Sequence, residues 1–128
     1  MADHDLLVLG GGTGGYAAAF RASQLGKRVA LIEEAKVGGT CLHWGCIPAK
    51  AMLETGDLLA KIGKASDFGV QITPATGIDT TVVGARRDKI VARMHAGLKS
   101  LFKKNNVELI TGRATLLGGG TVEVALYD

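Results

Sequence analysis

Apolar residues follow two rhythms along this chain: short unbroken runs, and longer stretches with helical spacing. Leu6-Leu7-Val8-Leu9 is an unbroken run that ends in Gly10-Gly11-Gly12-Thr13-Gly14-Gly15. A run so short, bounded by glycine, predicts a strand buried on both faces. The small residues from Tyr16 to Leu25 predict a helix that stops at Gly26, and Val29 to Ile32 predicts a second buried strand closing with Glu33 and Glu34. Strand, helix and strand within about 30 residues is a βαβ unit. Val37 to Gly45 is glycine-rich and reads as irregular, and a helix is expected from Ile47 or Pro48 to about Ile62. Asp67 to Gly77 reads as a loop with room for one short strand. Asp79 or Thr80 then caps a helix whose Val83, Ile90, Met94, Leu98 and Leu101 form one apolar stripe. Val107 to Thr111 predicts a third buried strand. Ala114 to Leu117 and Thr121 to Leu126, split by Gly118-Gly119-Gly120, predict a hairpin. The fold expected is an incomplete doubly wound α/β domain, with parallel strands, a crossover helix and a trailing antiparallel hairpin.

Composition narrows the class. The 128 residues are 47% hydrophobic, enough for one core, which excludes intrinsic disorder for most of the chain. A net charge of +3 gives no reason to expect nucleic acid or an anionic membrane. Two cysteines exclude a scaffold of many disulfides. No apolar stretch is long enough to span a membrane, and the acidic start is unlike a signal peptide, so a cytoplasmic protein is expected. Arg86, Arg87, Lys89, Arg93, Lys99, Lys103 and Lys104 make the later helix basic and read as a solvated face. Trp44 and Tyr16 read as packing groups.

Gly10, Gly12 and Gly15 satisfy G-x-G-x-x-G between a predicted strand and helix. The first glycine permits the sharp turn, the second lets backbone approach a pyrophosphate, and the third lets the helix pack closely on the sheet. The helix N-terminus aims free N–H groups at phosphate. Glu33, at the end of the second strand, is placed to accept hydrogen bonds from ribose hydroxyls. These residues point to a dinucleotide without distinguishing FAD from NAD.

Gly38-Gly39-Thr40-Cys41-Leu42-His43-Trp44-Gly45-Cys46-Ile47-Pro48-Ala49-Lys50 carries both cysteines. Their spacing exceeds a regular helical turn, so the sulfurs meet only if Cys41 sits in an irregular turn before the helix. Cys46, at the helix entry, would have its thiolate stabilised by the helix N-terminus, with Lys50 one turn on. A redox pair beside a dinucleotide is the leading reading. Two inert buried thiols, or half of a zinc site completed by His43 with His4 or His95, are the alternatives.

Taken together, Gly10 to Ala19, Glu33 and Gly38 to Lys50 resemble the start of the FAD-dependent pyridine nucleotide–disulfide oxidoreductases, and Val107 to Ala114 is similar to that family's third strand and hairpin. Leu42 and Ile47 resemble the dihydrolipoamide-oxidising members more than the glutathione, trypanothione or mercuric reductases. His43, Trp44 and Ala49 depart from the commoner Asn, Val and Ser. The resemblance implies a Rossmann-like FAD-binding domain with Cys41 as interchange thiol and Cys46 as charge-transfer thiol. It implies cofactor contacts from Gly10, Gly12, Thr13, Gly14, Gly15, Glu33, Glu34, Gly39, Thr40, Lys50 and Ala114, and no metal. It further implies that dihydrolipoamide, carried on the lipoyl domains of 2-oxoacid dehydrogenase complexes, is oxidised through FAD with NAD⁺ as acceptor, in a homodimer. Other disulfide reductases and a non-catalytic nucleotide-binding module are the alternatives. Members of the family are several times longer. Residues 1–128 are therefore expected to be an N-terminal part of the FAD-binding domain, without the NAD and interface domains, holding flavin weakly and not turning over alone.

Overall fold

β2 (Val29–Glu33) is the most deeply buried element, with Val29, Ala30, Leu31 and Ile32 each at most 2% exposed. It lies between β1 (Leu6–Leu9) and β3 (Glu108–Gly118), and β4 (Thr121–Leu126) follows β3 at the edge of a four-stranded sheet ordered β1-β2-β3-β4. The computed structural model describes residues 3–73 and 77–127. The helices are α1 (Thr13–Gln24), α2 (Gly39–His43), α3 (Cys46–Gly63) and α4 (Thr80–Lys104), with a 3-10 turn at Ala65–Phe68.

β1 runs parallel to β2 from Leu6↔Val29 to Leu9↔Ile32, and β2 runs parallel to β3 from Ala30↔Glu108 to Glu33↔Thr111. At Gly112 the pairing changes hands. Gly112 faces Leu126 and β3 continues antiparallel to β4 as far as Gly118↔Thr121. The expected third strand and first hairpin arm are therefore one continuous strand. Two of the buried strands are less buried than expected. β1 lies at the sheet edge with Leu6 and Leu9 exposed, and in β3 exposed Glu108 and Thr111 flank half-buried Leu109 and Ile110. An unbroken apolar run reports the strand but not its place in the sheet.

One face of the sheet carries the core. Ala19 of α1, Leu42 of α2, and Leu98 and Phe102 of α4 pack on Val29, Leu31 and Val107, with Val37 among them. Phe102 stands edge-on to Phe20, ring centres 4.8 Å apart. α1 begins at Thr13, three residues before the expected start, because Gly12 is already extended as its N-cap. Asp79 caps α4 as expected, accepting from the N–H groups of Thr81 (2.9 Å) and Val82 (3.1 Å). α4 ends in a Schellman arrangement: Asn106 N–H donates to Lys103 O and Val107 N–H to Phe102 O, with Asn106 at φ +50°.

The segment expected to be irregular, Val37 to Gly45, contains α2, and α3 starts at Cys46, one residue early. In the loop expected over 67–77, the first residues belong to the 3-10 turn, and no strand occurs among its described residues; 74–76 lie outside them. The basic side of α4 is only partly a solvated face. Arg86 donates to Ala51 O (2.9 Å) and to Glu54 Oε2 (2.7 Å), fastening α4 to α3, and Arg87 pairs with Asp88 at 2.8 Å.

Candidate functional site

The glycine loop turns at Gly10, whose φ is +95°. A Cβ on Gly15 would overlap the carbonyl oxygen of Gly10, so the start of α1 can sit against the end of β1 only with glycine there. Gly12, the N-cap, has no side chain to satisfy the first N–H groups of α1, and a Cβ at Gly12 or Gly14 would meet nothing within 4 Å. Unfilled donors facing open space at a helix N-terminus suit a phosphate.

Glu33 locks this loop to the end of β2. Its Oε2 accepts from Gly11 N–H at 2.6 Å and its Oε1 from Ala35 N–H at 2.8 Å. Each carboxylate oxygen keeps a second acceptor position for a hydroxyl. Gly10, Glu33, Glu34 and Ala114 border one hollow of about 260 Å³ with Leu9, Ile32, Gly112 and Arg113. Four of the expected cofactor residues thus share one cavity, at the carboxyl ends of β1 and β2, where ligands of open α/β sheets bind. The donor set, the open glycine faces and this cavity together fit a dinucleotide.

The second glycine pair docks on the first. Gly38 N–H donates to Gly11 O at 2.7 Å, and a Cβ on Gly39 would come within 2.9 Å of Gly12 Cα. Gly39 also holds φ +59°, a conformation that disfavours other residues. This contact brings α2, and with it Thr40 and Cys41, beside the dinucleotide loop.

Cys41, on α2, and Cys46, the first residue of α3, form a disulfide with their Cα atoms 4.7 Å apart. The break between the two helices at Trp44-Gly45 supplies the turn that a continuous helix would deny them. Cys41 is half-buried and Cys46 exposed; Thr40 and Lys50 are also exposed. Among the described residues, no group of three or more His, Cys, Asp or Glu side chains could hold a metal ion.

Two further hollows flank the disulfide. Cys41 borders one of about 300 Å³ with Thr13, Tyr16, Leu42, Ile47 and four residues of α4: Met94, Gly97, Leu98 and Leu101. The sequence showed the α4 stripe but not that it faces a cysteine, since that needs α4 to fold back over α2. Cys46 borders the other with Trp44, Met52, Arg87 and Asp88. Tyr16 packs on the core as expected, while Trp44 is 63% exposed and is not a packing group. Its ring lies 5.4 Å from that of His43, whose imidazole bonds to the backbone beneath.

His43 and His95 entered the expectations as candidates for a zinc site. They instead meet: Nε2 of His43 and Nδ1 of His95 lie 3.0 and 3.1 Å from the carbonyl oxygen of Val37, with the two rings packed edge to face. Burial, first among several causes, holds the His95 imidazole below its ordinary pKa; His43, Lys99 and Lys36 add to this against the hydrogen bond it donates to the Val37 carbonyl. His4 bonds Glu108 at 2.8 Å, tying the chain start to β3.

A family model described as pyridine nucleotide-disulphide oxidoreductase matches residues 4–127. Relatives named dihydrolipoyl dehydrogenase include one from Bacillus subtilis, 42% identical over 91% of this chain and 24% of its own length. One from Zymomonas mobilis is 44% identical over 92% of the chain and 25% of its length. A third, from Acholeplasma laidlawii, is 37% identical over 95% of the chain and 36% of its length. The chain therefore spans about a quarter to a third of these relatives. No helix is long and apolar enough to cross a membrane among the described residues.

Proposed function

Because the chain belongs to the pyridine nucleotide-disulphide oxidoreductase family, we propose that it carries the disulfide and part of the FAD site of a flavoprotein that oxidises dihydrolipoamide. The observation that supports this most strongly is the direct contact between the two glycine segments. It sets the Cys41–Cys46 disulfide beside a loop suited to a pyrophosphate. The name shared by the relatives supports dihydrolipoamide over other dithiols.

In this reading, Gly10, Gly12, Thr13, Gly14 and Gly15 surround the pyrophosphate of FAD. Glu33, with Glu34 and Ala114 in the same hollow, receives the adenosine ribose. Gly39, Thr40 and Lys50 lie on the flavin side. Bound there, FAD would supply the two-electron acceptor for the dithiol and the hydride donor for NAD⁺.

The residues of this chain account for the thiol chemistry. A thiolate of dihydrolipoamide attacks Sγ of Cys41, breaking the bond to Cys46 and releasing Cys46 as a thiolate at the N-terminus of α3, where the helix dipole stabilises it. The second substrate thiolate then attacks its own mixed-disulfide sulfur, expelling Cys41. One dithiol and one disulfide become one disulfide and one dithiol, with two electrons transferred and two protons passed to the thiols or to solvent. Cys46 would serve as the charge-transfer thiol on the flavin side.

Residues 1–128 act in this proposal as the N-terminal part of an FAD-binding domain. The substrate is presented on lipoyl domains of 2-oxoacid dehydrogenase complexes in the cytoplasm, to a homodimer. The test is stoichiometric: add dihydrolipoamide to the oxidised chain and count protein thiols by alkylation and mass spectrometry. Two new thiols, at Cys41 and Cys46, are expected, and none in Cys46→Ser, which has no disulfide to reduce. A disulfide that dihydrolipoamide leaves intact would overturn the proposal.

A further inference from the structure

The segment that carries Cys41 has little of its own to hold it. α2 has five residues, too few to be stable alone, and its N-cap Gly38 offers no side chain. Beyond the Gly38–Gly11 bond and the buried side chain of Leu42, one carbonyl ties it down. Val37 is 4% exposed, and its oxygen receives both histidines, His43 from the end of α2 and His95 from α4, 58 residues away. A carbonyl oxygen can only accept, and it has two lone pairs, so both facing ring nitrogens carry their protons. The His43 bond closes segment 37–43 on itself, and the His95 bond anchors the closed segment to a long helix.

We infer that His95 is a positioning residue for the disulfide, holding Cys41 within reach of Cys46 by donating from Nδ1 to the carbonyl of Val37. This rests on the reading of Cys41–Cys46 as a redox pair. The surroundings fit a neutral donor. Lys36 from the loop, Arg87 and Asp88 from α4, and His43 from α2 border the same hollow as His95, and the one carboxylate among them is held by Arg87. Lys99, one turn further along α4, adds a positive charge. A proton added to His95 would face a positive neighbourhood. When the His95 bond is lost, the reduced segment gains freedom that disulfide formation must remove, so the dithiol form is favoured.

The test equilibrates the full chain in glutathione buffers at pH 7 and reads the fraction of Cys41–Cys46 disulfide by alkylation. His95→Ala is expected to shift the equilibrium about fivefold toward dithiol, the scale of one hydrogen bond. His95→Asn, which keeps an N–H donor near the Nδ1 position, is expected within about twofold of the unsubstituted chain. Phe102→Ala separates positioning from general loosening of α4, because it should lower the melting temperature and leave the equilibrium in place. Should His95→Ala not fold, His95→Gln, whose longer arm moves the donor, is expected to shift the equilibrium in the same direction. An unchanged equilibrium in folded His95→Ala or His95→Gln, or an equal shift in Phe102→Ala, would overturn the inference. Failure of the unsubstituted chain to form the disulfide at any poise would overturn the redox reading itself.

Discussion

The backbone N–H of Gly11 donates to Oε2 of Glu33 across 2.6 Å, joining the glycine loop to the end of β2. The other oxygen of Glu33 holds Ala35 N–H, so one side chain ties together the two backbone segments that follow β1 and β2, beside the cavity bordered by Gly10 and Ala114. Glu33→Ala is expected to destabilise the chain by about 1–3 kcal/mol, because two N–H groups lose a charged acceptor. Chemical unfolding of both proteins gives the difference, and a flavin fluorescence titration should show weaker FAD binding in the variant. A variant with unaltered stability would mean that water replaces the carboxylate without penalty.

Gly15→Ala places a methyl group on the Gly10 carbonyl oxygen. Backbone cannot move aside as a flexible side chain can, so the start of α1 must shift away from β1. The expected loss is about 2–4 kcal/mol, at the upper end of ordinary substitutions. A melting temperature within experimental error of the unsubstituted chain would contradict the close approach.

Phe102 lies in the core at 2% exposure, edge-on to Phe20. Truncation to Ala is expected to cost about 3–5 kcal/mol through lost burial and the cavity left behind. Urea unfolding followed by circular dichroism measures it, and a loss below about 1 kcal/mol would show that α4 repacks freely.

Reduction of Cys41–Cys46 releases only a short loop, since the two residues are 5 apart in sequence. The entropy that such a link removes from the unfolded chain is small, and the expected loss on adding dithiothreitol is about 2 kcal/mol or less. Unfolding midpoints with and without reductant test this. A collapse of the fold on reduction would make the disulfide a structural staple and argue against a redox role.

Asp5 accepts from Arg28 N–H at 2.8 Å and meets its guanidinium at 3.3 Å. The backbone bond first, and then the side-chain bond, hold the Asp5 carboxyl below its ordinary value of 3.8. Such a group contributes stability above the unfolded value, and that contribution is lost as pH falls toward the lowered folded value. Between about pH 5 and pH 2.5, the unfolding midpoint of the unsubstituted chain should therefore fall more steeply than that of Asp5→Asn. Parallel profiles would mean that the clasp adds nothing in solution.

The amino-acid sequence by itself determined the βαβ start, the glycine loop, Glu33 and the cysteine pair, because each depends on residues close together in the chain. Gly10 to Gly15 permit the tight turn, which needs positive φ at Gly10 and no Cβ at Gly15, and the apolar runs of β1 and β2 bracket it. Tertiary structure decided what depends on contacts between distant segments. It placed β1 at an edge, made β3 one strand with two partners, and left Trp44 in solvent. Folding α4 back over α2 brought Met94 and Leu98 to the cavity beside Cys41, and His95 to the carbonyl of Val37. Local periodicity says which face of a helix is apolar, but not which residue it meets, since that is settled only when the core closes around Leu31 and Phe102.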